Sequence, residues 1–288
     1  MDARIHASID ARMPSPDRGG KKDNAMPRFA ANIAYLFSDR PLVERFGAAA
    51  AAGFRAVEGQ FPYDTPAAQV KAALARHKLT MLGINTERGG EGQFGLAAVP
   101  GREHDFDALF RQALDYIRAV GGRAIHCLAG KVDAGERAAA ERTFIANLAR
   151  VADEAAAHGI TLLIEPINPR DRPGYFLNSA EHAAEILARL GNPNVKIQFD
   201  FYHAQIVGGD LIRRFEKHFA LVGHVQIAAV PSRHEPDEGE VHYPAIFETL
   251  DEIGYDGWVA GEYFPRGRTE DGLAWLRAAQ ARGERDAS

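Results

Sequence analysis

The sequence predicts an α/β fold, a single closed (β/α)8 barrel, and three observations carry that prediction. Eight short apolar runs alternate with stretches of helical spacing. Their starts lie on average about 33 residues apart, room for one strand, one helix and two loops. Several helical stretches end on glycine, at Gly53, Gly121, Gly159, Gly191 and Gly254. An open doubly wound sheet would alternate in the same way. No Gly-x-Gly-x-x-Gly follows the first run, so its dinucleotide-binding version loses its main support.

The runs start at Phe29 (FAANIAYLF), Ala56 (AVEGQF), Thr80 (TMLGINT) and Ala124 (AIHCLAG). Four more start at Thr161 (TLLIEPI), Val195 (VKIQFDF), Gly223 (GHVQIAA) and Gly257 (GWVAGEY). Between them, Leu109, Ala113, Tyr116, Ile117 and Val120 share one helical face, as do Phe144, Leu148, Val151 and Ala155. Residues 1–25 read differently. Pro14, Pro16, Gly19 and Gly20 stand among five basic and four acidic residues, without the apolar core of a secretory signal. We expect a disordered tail there and one barrel domain over residues 26–288.

Composition narrows the function. Of 288 residues, 46% are hydrophobic and 25% charged, which excludes a wholly disordered or fibrous chain. The formal net charge of -5 argues against a nucleic-acid partner, which needs a concentrated positive face. Cys127 is the single cysteine, so there is no internal disulfide and no cysteine cluster for zinc. A reducing, cytoplasmic setting is expected, although lack of disulfides is compatible with export too. No run of 18 apolar residues offers a membrane span.

A barrel carries its chemistry at the carboxyl ends of its strands. Those ends present Glu58, Asn85, His126, Glu165, Asp200, Gln226 and Glu262. A lone carboxylate there is most simply a helix N-cap. Glu165, Asp200, Gln226 and Glu262 instead follow one another at intervals of 35, 26 and 36 residues, close to one strand-helix unit, and should sit at matching heights on adjacent strands. Three carboxylates meeting in one mouth repel, and they are relieved by protonation or by a cation. An all-oxygen set suits Mg2+ or Mn2+. Glu165 and Glu262 lie far enough apart around the ring to move a proton between neighbouring carbons of a small carbonyl substrate, the metal stabilising the enediolate between the two transfers.

Other residues have two readings each. His203 either donates to a substrate oxygen or faces water at a helix start. Arg233, in the charge-dense PSRHEPDEGE loop, either grips a substrate carboxylate or is solvated. His126 reaches the mouth or forms its wall, and Glu58 orders loops rather than reacts. His224 and Cys127 read as packing. Phe61, Tyr63 and Phe264 read as an apolar lid or subunit contact.

The segments RFAANIAYLF, FPYD, VPGREHDF, HCLAGK, LLIEPINPRDRPGYFL, KIQFDFYHAQ, HVQIA, RHEPDEGE and GEYFPRG resemble the hydroxypyruvate isomerase family, within the xylose-isomerase-like TIM barrels. The resemblance runs from about Met26 to Ala278. It implies interconversion of hydroxypyruvate and tartronate semialdehyde, a step of glyoxylate metabolism, with a divalent metal on Glu165, Asp200, Gln226 and Glu262. It assigns the two glutamates as the acid/base pair and His203, Arg233, His126 and Glu58 to the substrate's surroundings. It also implies a homo-oligomer. Many relatives carry Glu-Tyr-Lys-Pro where this chain has Glu262-Tyr263-Phe264-Pro265. The 2-oxo-tetronate isomerases share RHEPD and the Glu-Tyr pair, whereas EPINPRDRPGYFL looks more like the hydroxypyruvate branch. Two rival classes share such a barrel. A DNA-repair endonuclease would want more histidine ligands, several zinc ions and a basic groove; a dehydratase would release water.

Overall fold

Nine strands form one parallel sheet in the computed structural model, which describes residues 27–286. The expected tail over residues 1–25 lies outside the described residues. In chain order the strands are β1 (Arg28–Asn32), β2 (Ala56–Glu58), β3 (Thr80–Met81), β4 (Gly83–Asn85) and β5 (Ala124–His126). They continue with β6 (Thr161–Ile164), β7 (Val195–Asp200), β8 (Val222–Ile227) and β9 (Trp258–Gly261). The sheet order is β3-β2-β1-β9-β8-β7-β6-β5-β4.

Its two ends are halves of one strand. The predicted third run breaks at Leu82, so β3 pairs with β2 and β4 with β5. Leu82 joins them: its N–H donates to Val57 O at 2.8 Å, and its carbonyl accepts from Arg123 N at 3.2 Å. The break explains nine strands where eight runs were read, and these bonds close the ring.

Helices α1 (Leu42–Ala51), α2 (Ala67–His77), α3 (Glu103–Val120), α4 (Arg137–Ala157) and α5 (Ala180–Leu190) follow the first strands. After β7 come two short helices, α6 (Phe201–Val207) and α7 (Leu211–His218); α8 (Tyr243–Glu252) and α9 (Ala274–Asp286) complete the ring. The periodic faces predicted for α3 and α4 are the buried ones, with Ala113, Ile117 and Val120 in α3 and Phe144, Leu148, Val151 and Ala155 in α4. Gly121 ends α3 at φ 80°, a left-handed position that costs glycine least. Gly95 has a different task. A side chain there would meet Leu128 O at 2.1 Å, so glycine lets the loop after β4 lie against the loop after β5.

Two apolar regions result. The larger fills the space between strands and helices and includes Cys127, as its packing role required. The smaller, inside the barrel, is only Ala30, Ala56, Leu82 and Ala260 beneath Trp258. Barrel interiors are ordinarily filled by bulky branched residues. Beside Leu82 and Trp258 the interior holds a cavity of about 160 Å³, lined also by Gly83, Gly223 and Gly257, that reaches up to His126, Gln198, His224 and Gln226.

Candidate active site

The side chains above that cavity come from strand ends. Asn32, Glu58, His126 and Asp200 are the last residues of β1, β2, β5 and β7; Glu165 and Glu262 follow β6 and β9 directly. All are buried. The matching heights expected for the four oxygen donors need correcting. Asp200 pairs with Gln226, but Gln226 pairs with Ala260, two residues before Glu262. Ile164 pairs with Ile197, so Glu165 comes level with Gln198 instead. Strands in a closed barrel are staggered by its shear, so equal sequence spacing does not give equal height.

The lower tier is fully paired. Gln226 Nε2 donates to Glu58 Oε1 at 2.6 Å and to Glu262 Oε1 at 3.2 Å. Asn32 Nδ2 donates to the same two carboxylates at 2.8 and 2.9 Å. Gln198 Nε2 bridges Glu165 Oε2 at 3.1 Å and Gln226 Oε1 at 2.8 Å. His224 Nε2 donates to Glu58 Oε2. Burial pushes the Glu58 carboxyl up, but His224, Gln226 and Asn32 outweigh it and hold the group below its ordinary range. His224 is therefore a buried partner of a carboxylate rather than packing. Glu58 has its oxygens taken by protein donors, which gives it a structural task away from substrate.

The upper tier is crowded with carboxylates. Burial, then repulsion from Glu262 and Asp200, pushes Glu165 well above its ordinary value. Burial raises Asp200 to about 7 despite the opposing pull of Arg233. Asp200 Oδ1 caps α6 by accepting from Tyr202 N at 2.8 Å; Oδ2 is buried with no hydrogen-bond partner. Burial also raises Glu262, against the Arg233 and Gln60 hydrogen bonds.

Arg233 supplies the compensating charge. Its NH2 donates to Glu262 Oε2 at 2.6 Å and lies 4.0 Å from Asp200, with Asp171 3.8 Å from NH1. Only 12% of its side chain is exposed, and the rings of Tyr202 and Tyr35 flank it at 4.8 and 5.4 Å. The solvated reading of Arg233 is wrong. Its backbone sits at φ 57°, held by Arg233 N donating to Ala229 O and Phe264 N donating to Arg233 O. The neighbouring charges are organised too: Arg266 binds the buried Glu235 along with Asp237 and Glu238, which ties the β8 and β9 loops together.

His203 is buried in the first turn of α6, not facing water. Its Nδ1 lies 2.6 Å from Asn168 Nδ2, whose amide is oriented because Oδ1 accepts from Asp171 N. Nδ1 therefore accepts, and Nε2 carries the proton. Nε2 lies 3.6 Å from both Glu165 and Asp200. Burial and the nearby Arg233 keep the ring neutral. His126 forms the wall, 3.4 Å from Glu165, and burial lowers it to about 3. Tyr63 is no lid, because its hydroxyl donates to Asn85 O and its ring packs on Tyr116. Phe264, 51% exposed, packs on Tyr35.

Among the described residues, Glu165, Asp200 and His203 are close enough to hold a metal ion together. The orphaned Asp200 oxygen and the two strained carboxylates fit a hard divalent cation. The proton on His203 Nε2 makes that ring a donor rather than a ligand. Gln226 and Glu262, also expected as ligands, are engaged with Gln198 and Arg233 respectively.

Asn32, Gln60, Gln198 and Asn168 gave no expectation from the sequence, and His224 was read there as packing. Gln198 and His224 left a usable signal, since each stands two residues before a chosen residue and so on the same strand face.

Fold and site together define an α/β-barrel enzyme with a buried carboxylate centre. The chain belongs to the xylose isomerase-like TIM barrel family, whose model matches residues 46–279. It is 49% identical to the 2-oxo-tetronate isomerase of Cupriavidus necator, over 88% of this chain and 98% of that one. It is 39% identical to the hydroxypyruvate isomerase of Escherichia coli, over 87% and 98%. These relatives make it an isomerase-type enzyme. A crystal structure described as an AP endonuclease, family 2, from Brucella melitensis aligns at a TM-score of 0.86 with 47% identity, over 88% and 99%. No helix of the described residues is long and apolar enough to cross a membrane.

Proposed function

We propose that the protein shifts the carbonyl of a small 2-oxo acid to the neighbouring carbon, with Glu165 and Glu262 passing the proton. The observation that carries this reading is a pair of buried glutamates directly after β6 and β9, with two strands between them in the sheet, both raised above their ordinary pKa. A carboxylate whose pKa is raised by burial is a stronger base than a free one and can both take a proton and return one. One glutamate removes the proton beside the carbonyl, an enediolate forms, and the other protonates the adjacent carbon. His203 Nε2–H donates to a substrate oxygen. Arg233 fixes the orientation of Glu262 and offsets its charge once it is ionised. Mg2+ or Mn2+ would be held first by Glu165 and Asp200, with Gln226 and Glu262 joining only on release from Gln198 and Arg233, and it would supply Lewis-acid charge to the substrate oxygens.

Sequence identity supports a 2-oxo-tetronate ahead of hydroxypyruvate, which reverses the order that EPINPRDRPGYFL implies. The carboxylate-rich centre and the net charge of -5 weigh against a nucleic-acid substrate. A cytoplasmic homo-oligomer remains part of this proposal. Proton NMR in D2O with each acid, before and after chelation, tests it. We expect exchange of the hydrogen beside the carbonyl and conversion to the isomer, both lost on chelation. Two unchanged acids would sink the reading.

A further inference from the structure

We propose that Arg172, stacked on Phe94, is the cation that grips the substrate's carboxylate. This rests on the isomerase reading above, because it names the group that selects acids. A buried reaction centre crowded with carboxylates repels an anionic substrate, so some uncommitted positive charge must offset that repulsion.

Two of the mouth's arginines are committed. Arg233 is bound to Glu262 and is needed there. Arg170 is turned toward the Tyr202 hydroxyl, Pro231 O and Asp171. Arg172 differs. Among the described residues its side chain has no carboxylate partner, and its one side-chain hydrogen bond runs from NH1 to Asp171 O at 3.2 Å. Its guanidinium lies 4.6 Å over the Phe94 ring. Arg88, also without a carboxylate partner there, lies 5.7 Å from the same ring and 4.5 Å from Phe61.

Position favours Arg172 of the two. It is half-buried, in the loop after β6 that begins at Glu165 and carries Asn168, the residue that orients His203. Its charge reaches His203, where it ranks just after Arg233 among the charges lowering that ring. The platform is anchored, since Phe94 meets Tyr175 edge-on at 6.0 Å and the Tyr175 hydroxyl accepts from Ala129 N. A guanidinium held over a ring spends no N–H on it, so the N–H groups not taken by Asp171 O stay available to a carboxylate. A second guanidinium beside the same ring strengthens the local positive potential.

The test compares Arg172→Met, Arg172→Lys and Phe94→Leu with the unaltered enzyme. Arg172→Met should raise KM for the 2-oxo acid about 30- to 100-fold, the range for a lost charge-assisted pair, with kcat changed less than about threefold. Arg172→Lys should recover part of that loss, and Phe94→Leu should raise KM by a smaller factor because the charge stays but its platform goes. Calorimetric titration with glycerate, an unreactive acid of the same class, separates this inference from the isomerase reading. Glycerate should bind the unaltered protein and lose about the same factor in Arg172→Met, whether or not any acid is isomerised. Equal glycerate affinity in the two proteins, no glycerate binding to the unaltered protein, or a loss confined to kcat would overturn the assignment.

Discussion

Two tiers of buried polar side chains share the barrel interior, and they treat the same residue type in opposite ways. In the lower tier Glu58 accepts from Asn32, Gln226 and His224, and its pKa falls. One tier higher, Glu165 and Glu262 face other carboxylates, and their pKa values rise. All three are buried glutamates at strand ends. Burial raises each of them, so burial cannot account for the difference. The charges around each do: His224 with two amides outweighs burial at Glu58, whereas Glu262 and Asp200 add to it at Glu165, and at Glu262 the repulsion from Glu58 works against the pull of Arg233.

The largest expected effect probes the upper tier. Glu165→Gln should cut turnover about 10³- to 10⁴-fold, at the upper end for a lost general acid or base. The metal-free variant at pH 8 should unfold at the same temperature as the unaltered protein or higher, because repulsion is relieved. Turnover assays and calorimetry check both halves. A large drop in melting temperature would erase the distinction between the tiers.

Glu58→Gln probes the lower tier and should do the reverse. Breaking a buried pair by changing one partner costs about 3–5 kcal/mol, read from urea unfolding. A loss under about 1 kcal/mol would mean that the lower tier is not structural.

pH sharpens the contrast. Asp200, Glu165 and Glu262 have raised folded-state pKa values, so between pH 5 and 8 the folded, metal-free protein holds more protons than the unfolded chain. Stability should therefore fall as pH rises across that window. Glu58 is depressed, so its contribution is present above its unfolded value and disappears as pH falls through its folded one. Melting curves from pH 3 to 8 should thus show a maximum on the acidic side of neutrality, and Mn2+ should raise the melting temperature more at pH 8 than at pH 5. The smallest effect is a surface control. Phe264→Lys, at a half-exposed position outside both tiers, should change stability by no more than about 0.5 kcal/mol.

Most of the ring was legible because strand and helix periods are local. Glu165, Asp200, Gln226 and Glu262 stood out as polar residues ending apolar runs, and each lies where its strand meets the mouth. The break at Leu82 was not legible, since TMLGINT reads as one continuous strand. Arg233 was ambiguous for a similar reason. A charge-dense loop looks the same in sequence whether water or Glu262 receives its arginine.

By itself, then, the sequence determined which side chains enter the barrel and roughly where along each strand they do so, because alternation and helical spacing are set by backbone geometry. Only the tertiary structure decided which carboxylate is paired, which nitrogen of His203 holds the proton and which arginine is left uncommitted. Those outcomes depend on Coulomb and hydrogen-bond energies that change over a few ångströms between residues as distant in the chain as Glu58 and His224. No local pattern encodes such distances.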